Sequence, residues 1–308
     1  MIDALTTLLS SPMMQRSLLA ALIVGLTAPV IGTYLVHRRL AMLGDGIGHI
    51  SLTGVALGWL VGAFANVSPV DSWAIPGAVI VSLLGAISIE LVRQSGRTSG
   101  DTALAMLFYG GIAGGVLLIG LAGGTSAQLN SYLFGSISTV RWSDITLITI
   151  LGVAIVALGV GLAPALFSVT NDENFARSTG LPVRTLSLLI AILSALTVAV
   201  AMRVVGSLLV SALMVIPVAI AQLGARSFRS TMGLAMGLGV IICASGLSLT
   251  YFVDLSPGAT IVVGAIGLYA IGFVARAIVD RIRRAQRLRT ARQHNQHPER
   301  EHLAHADA

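Results

Sequence analysis

Charge is what this chain of 308 residues has least of. Only 10% of its residues are Asp, Glu, Lys or Arg, whereas 55% are hydrophobic. Mean hydropathy is +0.89. A soluble domain carries about 25% charged residues, so no soluble fold of this size covers its surface with so few. A disordered chain needs the opposite balance, low hydrophobicity and high charge. Lysine is absent, and all 19 basic residues are Arg. Without Lys there is no Gly-x-x-x-x-Gly-Lys-Ser/Thr loop and no ATP binding of the P-loop kind. A single cysteine, Cys243, excludes a disulfide scaffold. Outside the C-terminal tail the only histidines are His37 and His49, and no His-Glu-x-x-His motif occurs. Gly44-Asp-Gly-Ile-Gly48 is not a dinucleotide fingerprint, and no Gly-x-Ser-x-Gly elbow is present. A membrane enzyme therefore lacks a complete catalytic set.

What the chain does have is long apolar runs. A membrane helix needs about 20 mainly apolar residues. Nine spans are predicted: 17–36, 42–62, 73–92, 102–122, 144–166, 185–202, 206–223, 231–252 and 258–279. The run 185–223 is divided at Arg203 and Gly206, with a re-entrant element as the alternative. The predicted fold is an all-α, polytopic membrane bundle. A barrel strand would alternate apolar and polar with period two, whereas 186–200 is apolar on every side. Residues 1–280 read as one transmembrane domain. Residues 281–308 read as an Arg- and His-rich cytoplasmic tail without fixed structure.

Fifteen arginines fall in one set of connections and the tail, among them Arg38, Arg39, Arg93, Arg97, Arg177, Arg184, Arg226 and Arg229. Only Arg16, Arg141 and Arg203 fall in the other set. The positive-inside rule then places the N-terminus outside and the C-terminus in the cytoplasm of a multi-pass cell-membrane protein. Residues 1–15 lack the basic start of a cleaved signal peptide. The net charge of +6 sits mostly in the tail, where it meets anionic lipid rather than nucleic acid.

One pair has the spacing of metal ligands. Asp45 and His49 are four residues apart in the second span, so on a helix they share a face. Carboxylate oxygen plus imidazole nitrogen suits a divalent transition metal. Ionisable groups inside spans are costly, and they usually mark an ion path. The alternative is that Asp45 caps its helix and His49 is satisfied by a neighbour. Zinc takes about four ligands, so two copies of the pair across a two-fold axis would complete a site.

Other charges read as structural, with Glu90 set to pair with Arg93. The stretch 132–140 in the longest outer connection can dip back toward the membrane. The inner connection 167–184 can hold a short helix capped by Asn171 or Asp172 and ended by Gly180 and Pro182. From residues alone it is equally a solvated loop. In the tail, His294, His297, His302 and His305 form a tract able to bind metal weakly, although the spacing matches no closed zinc site.

The stretch Arg38-Arg-Leu-Ala-Met-Leu-Gly-Asp-Gly-Ile-Gly-His-Ile-Ser-Leu-Thr-Gly-Val-Ala resembles the motif after the first span of zinc/manganese ABC-importer permeases. Leu133-Phe-Gly-Ser136, Asn171-Asp-Glu-Asn-Phe-Ala176 with Gly180-Leu-Pro182, Val205-Gly-Ser-Leu-Leu-Val210 with Val215-Ile-Pro217, and Asp254-Leu-Ser-Pro-Gly258 follow in the family's order. The likeness covers roughly 17–279. It departs from the pattern at Gly46 and Gly48, where many members carry a bulkier residue and Ala or Ser.

The resemblance implies a permease of the vitamin-B12/siderophore-type (type II) architecture, working as a pair of identical chains on two separate ATPase subunits that bind the ATP. An external binding protein or lipoprotein would deliver Zn²⁺ or Mn²⁺, with no cofactor resident on the permease. Asp45 and His49 would hold the ion. Asp172, Glu173, Phe175, Ala176 and Gly180 would form the coupling segment against the ATPase. Zinc is preferred over manganese on the Gly-His-Ile-Ser-Leu-Thr-Gly variant. The rivals are a permease for a metal chelate such as a siderophore, which has no need of the Asp-His pair, and a gradient-driven secondary transporter, whose internal repeats are missing.

Overall fold

The computed structural model describes residues 10–66, 70–96, 100–123, 125–136, 140–253 and 255–306, with side chains to Arg283 except at 70, 71, 126–129 and 203. Among these residues every regular element is helical. Helix α1 (Pro12–His37) opens with Pro at its first turn, where the missing N–H costs nothing. A tight elbow, with Arg39 at φ 59°, leads into α2 (Ala41–Phe64). A 3₁₀ turn, Val70–Trp73, precedes α3 (Ala74–Ser95), which ends on left-handed Gly96. Then follow α4 (Gly100–Leu121), α5 (Ser126–Phe134), α6 (Trp142–Gly161), α7 (Ala163–Asn171) and α8 (Glu173–Ser178). The chain closes with α9 (Val183–Val205), α10 (Val210–Gln222), α11 (Phe228–Phe252) and α12 (Pro257–Ala306).

Eight of these helices are long and apolar enough to cross a membrane, not the nine expected. The difference lies at 206–223. There α10 has only 13 residues, about 20 Å at 1.5 Å per residue, against a hydrocarbon core of about 30 Å. The cause is Gly206, at φ 89°, where the long apolar run turns back. A side chain at Gly206 would strike the backbone of Leu133 and Gly135, so the turn is both left-handed and crowded. The turn residues Ser207, Leu208 and Leu209 are themselves mostly apolar, and hydropathy cannot distinguish a buried turn from a second full span.

The turn lies inside the bundle. Ser207 N–H donates to Tyr132 O at 2.8 Å and Leu208 N–H to Leu133 O at 3.2 Å, so the end of α5 folds back to meet it. The Tyr132 ring packs on Trp59 of α2, with centroids 5.4 Å apart. From the turn, α10 returns toward the Arg-rich ends of the spans. There the Arg276 guanidinium donates to the Leu223 carbonyl.

Helix α2 sits at the centre, packed between α3 and α4 and crossed by α9 and α10. Helix α1 is clasped by α11, α10 and α6. The α1–α6 contact includes a buried hydrogen bond, Tyr34 Oη donating to Gly159 O at 2.6 Å. Helix α12 runs on to Ala306, where an unstructured tail was expected. Residues 281–306 are rich in Arg, Gln, Leu and Ala, which are good helix formers. The side chains of His294, His297, His302 and His305 lie outside the described residues, as do Asp254 and Arg97.

Candidate functional site

Asp45 and His49 are brought together as their spacing predicts. His49 Nε2 lies 3.7 Å from Asp45 Oδ1. The capping alternative fails. Helix α2 begins at Ala41 with Leu40 as its cap, and no acidic residue occupies its first turn. Asp45 stands in the second turn, where no free backbone N–H awaits it.

The two side chains are held by different elements. Ser211, at the start of α10, donates its hydroxyl to Asp45 Oδ1 at 3.2 Å. The His49 ring meets the Phe108 ring of α4 edge to face, with centroids 4.1 Å apart. His49 is almost fully buried, its Nε2 faces Asp45, and its Nδ1 has no hydrogen-bond partner among the described residues. A cavity of about 370 Å³ lies beside the pair, lined by Met42, Gly46, Asp101, Leu104, Ala105, Phe108 and Tyr109.

Gly48 has a spatial reason. A Cβ there would lie 2.6 Å from Ser207 O, so the α9–α10 turn presses directly on α2 at the level of the pair. On the opposite side, a Cβ on Gly111 would lie 2.6 Å from the His49 carbonyl carbon. The Gly48–His49 backbone is thus gripped between α4 and the α9–α10 turn.

Among the described residues no group of three or more His, Cys, Asp or Glu gathers to hold a metal. Two side chains fall short of the four ligands that zinc takes. Cys243 is buried in α11.

The connection 167–184 forms α7, α8 and a closing turn. Asp172, one of the two caps the sequence offers, is the N-cap of α8: its Oδ1 accepts from Asn174 N–H at 2.9 Å and Phe175 N–H at 3.0 Å. Phe175 is 60% exposed, whereas Ala176 is fully buried. Gly180 takes φ 81° and is exposed. Glu173 turns inward. Its Oε1 accepts from the Arg38 guanidinium and from Arg93 Nη1 and Nη2, both at 3.3 Å. Arg93 also makes the expected pair with Glu90, as a two-pronged fork at 2.9 and 2.9 Å. Arg38 donates a further bond to Ser187 Oγ at 2.9 Å. Partial burial opposes ionisation of Glu173, but Arg93 and Arg38 outweigh it and hold the carboxyl below its usual range. Burial and the nearby Arg93 push Arg38 below its ordinary value while Glu173 pulls it back. An arginine stays charged through such a shift.

Ser211, Phe108 and the inward role of Arg38 carry no local signal. Their partners are 166, 59 and 135 residues away in sequence, and Arg38 reads only as a topology marker.

A family model for the ABC 3 transport family matches residues 10–276. The chain belongs to the ABC 3 transport family. Among its relatives in this family, the manganese transport system membrane protein MntC of Halalkalibacterium halodurans is 32% identical over 266 residues, covering 86% of this chain and 88% of the relative. The high-affinity zinc uptake system membrane protein ZnuB of Haemophilus influenzae is 28% identical over 260 residues, covering 84% and 96%. The solved structure of PsaBC from Streptococcus pneumoniae in complex with Fab superposes with a TM-score of 0.78 at 30% identity, covering 89% of this chain and 95% of the matched one. The bundle has the type II ABC importer permease architecture that the resemblance implies.

Proposed function

We propose that this ABC 3 family member is the transmembrane permease of an ATP-driven importer for divalent transition-metal ions, with Zn²⁺ the first substrate and Mn²⁺ the second. Asp45 and His49 carry the reading. They are a carboxylate and an imidazole on one helix face, within a largely buried segment, with His49 Nε2 turned to Asp45. Two copies of the chain meet so that both pairs face one path, supplying two oxygens and two nitrogens. The relatives named for manganese and for zinc support the metal class. The imidazole favours zinc, since manganese prefers a shell of oxygen donors.

ATP hydrolysis belongs to two copies of a separate cytoplasmic subunit. That subunit receives α8, with Asp172 fixing the helix start, Phe175 as the exposed knob, Gly180 shaping the exit, and Glu173 and Ala176 turned to the bundle. An external metal-binding protein or lipoprotein delivers the ion. The Arg-rich ends face the cytoplasm and the N-terminus lies outside. ATP binding closes the ATPase pair, displaces α8 and switches the path between its two openings. Affinity is modest, because an ion held too tightly could not leave.

The test is metal uptake by the permease reconstituted with its ATPase and binding protein, with Asp45→Ala and His49→Ala. Both variants are expected to lose zinc and manganese uptake while still assembling with the ATPase. Wild-type uptake of both metals by both variants would sink the assignment. Uptake that continues without ATP on a proton gradient would make the chain a secondary transporter.

A further inference from the structure

We infer that Arg38, Glu173 and Arg93 form the link through which movement of α8 reaches the segment carrying Asp45 and His49, with Glu173 as its positioning residue. The inference rests on the proposal that α8 docks on the ATPase, and it adds how that docking is felt at the metal pair.

Helix α8 has only six residues and two unlike faces. Phe175 projects to the outside, while Glu173 and Ala176 turn to the bundle. A rigid displacement of so short a helix must carry Glu173 with Phe175. Glu173 is bound by guanidiniums from two other elements, so it cannot shift without changing those contacts.

Of the two, Arg93 is the anchored one. Its fork to Glu90 fixes it to α3, and Gln94 ties the same carboxylate to the start of α9 through the Arg184 carbonyl. Arg38 is the one that transmits. Its side chain is 4% exposed, and among the described residues it hydrogen-bonds Glu173 and Ser187. The elbow it occupies has no slack. Arg39 N–H donates to Val36 O at 3.1 Å, Leu40 N–H to Leu35 O at 2.8 Å, and Leu43 N–H to Leu40 O at 2.9 Å. Arg38 therefore moves as part of the α1–α2 unit. Asp45 lies seven residues on, across the elbow and about one turn into α2, with no break between Ala41 and His49. A pull on Arg38 is delivered to Asp45 as rotation or translation of α2 against Ser211 and Phe108.

A purely structural staple would use the same contacts, so the test needs a readout that stability does not move. The complete importer is reconstituted in liposomes with loaded binding protein, and zinc taken up per ATP hydrolysed is measured for Arg38→Gln, Glu173→Gln, the double variant and Arg38→Lys. Coupling free energies between sites usually correspond to about 5–150-fold, and a loss in that range is expected for each single variant. The double variant should lose no more than either single one, because both remove the same link. Arg38→Lys should recover part of the loss, and Arg38→Gln should co-purify with the ATPase at the wild-type ratio.

Unchanged uptake per ATP in the single variants overturns the link. So do losses that multiply in the double variant, or losses that follow melting temperature across the set. Phe175→Ala separates the two levels. If it leaves ATPase assembly intact, the docking proposal and the link both fall. If it disrupts assembly while the Arg38 and Glu173 variants transport normally, only the link falls.

Discussion

Replacing Ser211 by Ala removes one hydroxyl beside the metal pair and nothing else. Ser211 Oγ stands 3.2 Å from Asp45 Oδ1, long for a hydroxyl donor. A hydrogen bond to a charged group contributes about 1.5–3 kcal/mol. At this length, and with 24% of the Asp45 side chain exposed, the lower part of the scale applies, about 1–2 kcal/mol. Each 1.4 kcal/mol is tenfold, so the metal affinity should fall by about 5–30-fold. That agrees with the 10–100-fold typical of residues that orient a ligand from behind. Packing should not confuse the result. The Ser211 Cβ, which lies 3.6 Å from where a Cβ on Gly44 would be, is kept.

The measurement is zinc binding to the purified permease by competition with a chromophoric chelator, alongside Asp45→Ala. The expected order is wild type tightest, Ser211→Ala weaker by the stated factor, and Asp45→Ala without specific binding. Wild-type affinity for Ser211→Ala, with binding lost in Asp45→Ala, would refute the idea that α10 orients the carboxylate. Complete loss in Ser211→Ala would make the serine a ligand itself.

Four further outcomes follow from the structure. Tyr34→Phe leaves the Gly159 carbonyl without its buried donor and should lower stability by about 0.6–1.5 kcal/mol; an unchanged denaturation midpoint in detergent would contradict this. Gly206→Ala places a Cβ against Leu133 and Gly135 at a left-handed φ, so assembly should fail on size exclusion. Gly237→Ala, with open space around it, should be neutral or more stable by up to about 1 kcal/mol. The Glu173 carboxyl is held below its usual range by Arg93 and Arg38 against the effect of burial. Its stabilisation of α8 is therefore complete above the unfolded carboxyl pKa of about 4.3 and is lost as pH falls through the lower folded value. The hydrogen-exchange protection factors of 172–180, which correct for the intrinsic pH dependence of exchange, should stay constant from neutral pH to about 5 and fall in more acid solution. Glu173→Gln should abolish that pH dependence.

The parts of this fold that were legible in the sequence are those carried by local pattern. Eight of the nine expected apolar runs became spanning helices. The Asp45–His49 juxtaposition needed only 3.6-residue periodicity, and the cap at Asp172 only a polar residue before a short helix. The run 206–223 failed because a buried turn needs no polar residue when backbone groups of a neighbouring segment satisfy it. Ser207 and Leu208 bond to Tyr132 and Leu133, so nothing in 206–209 has to be hydrophilic. Gly206 was visible in the sequence, but its left-handed φ was not.

Arg38 shows the opposite failure. The positive-inside rule assigns an arginine at a span end to the interface, where it would be solvated. Here Glu173 and Ser187 complete its hydrogen bonding, and the side chain is buried. Rules based on side-chain type describe the isolated helix, whereas the partners come from elements more than a hundred residues later. The consequence concerns α2. Between Arg38 and His49 the chain is gripped by Glu173 at one level, by Ser211 of α10 at the next, and by Phe108 of α4 at the third. Two of these three holds belong to elements after residue 170, and both contact charged groups. A rearrangement of α8 or α10 against the first half of the chain therefore acts on the segment that carries Asp45.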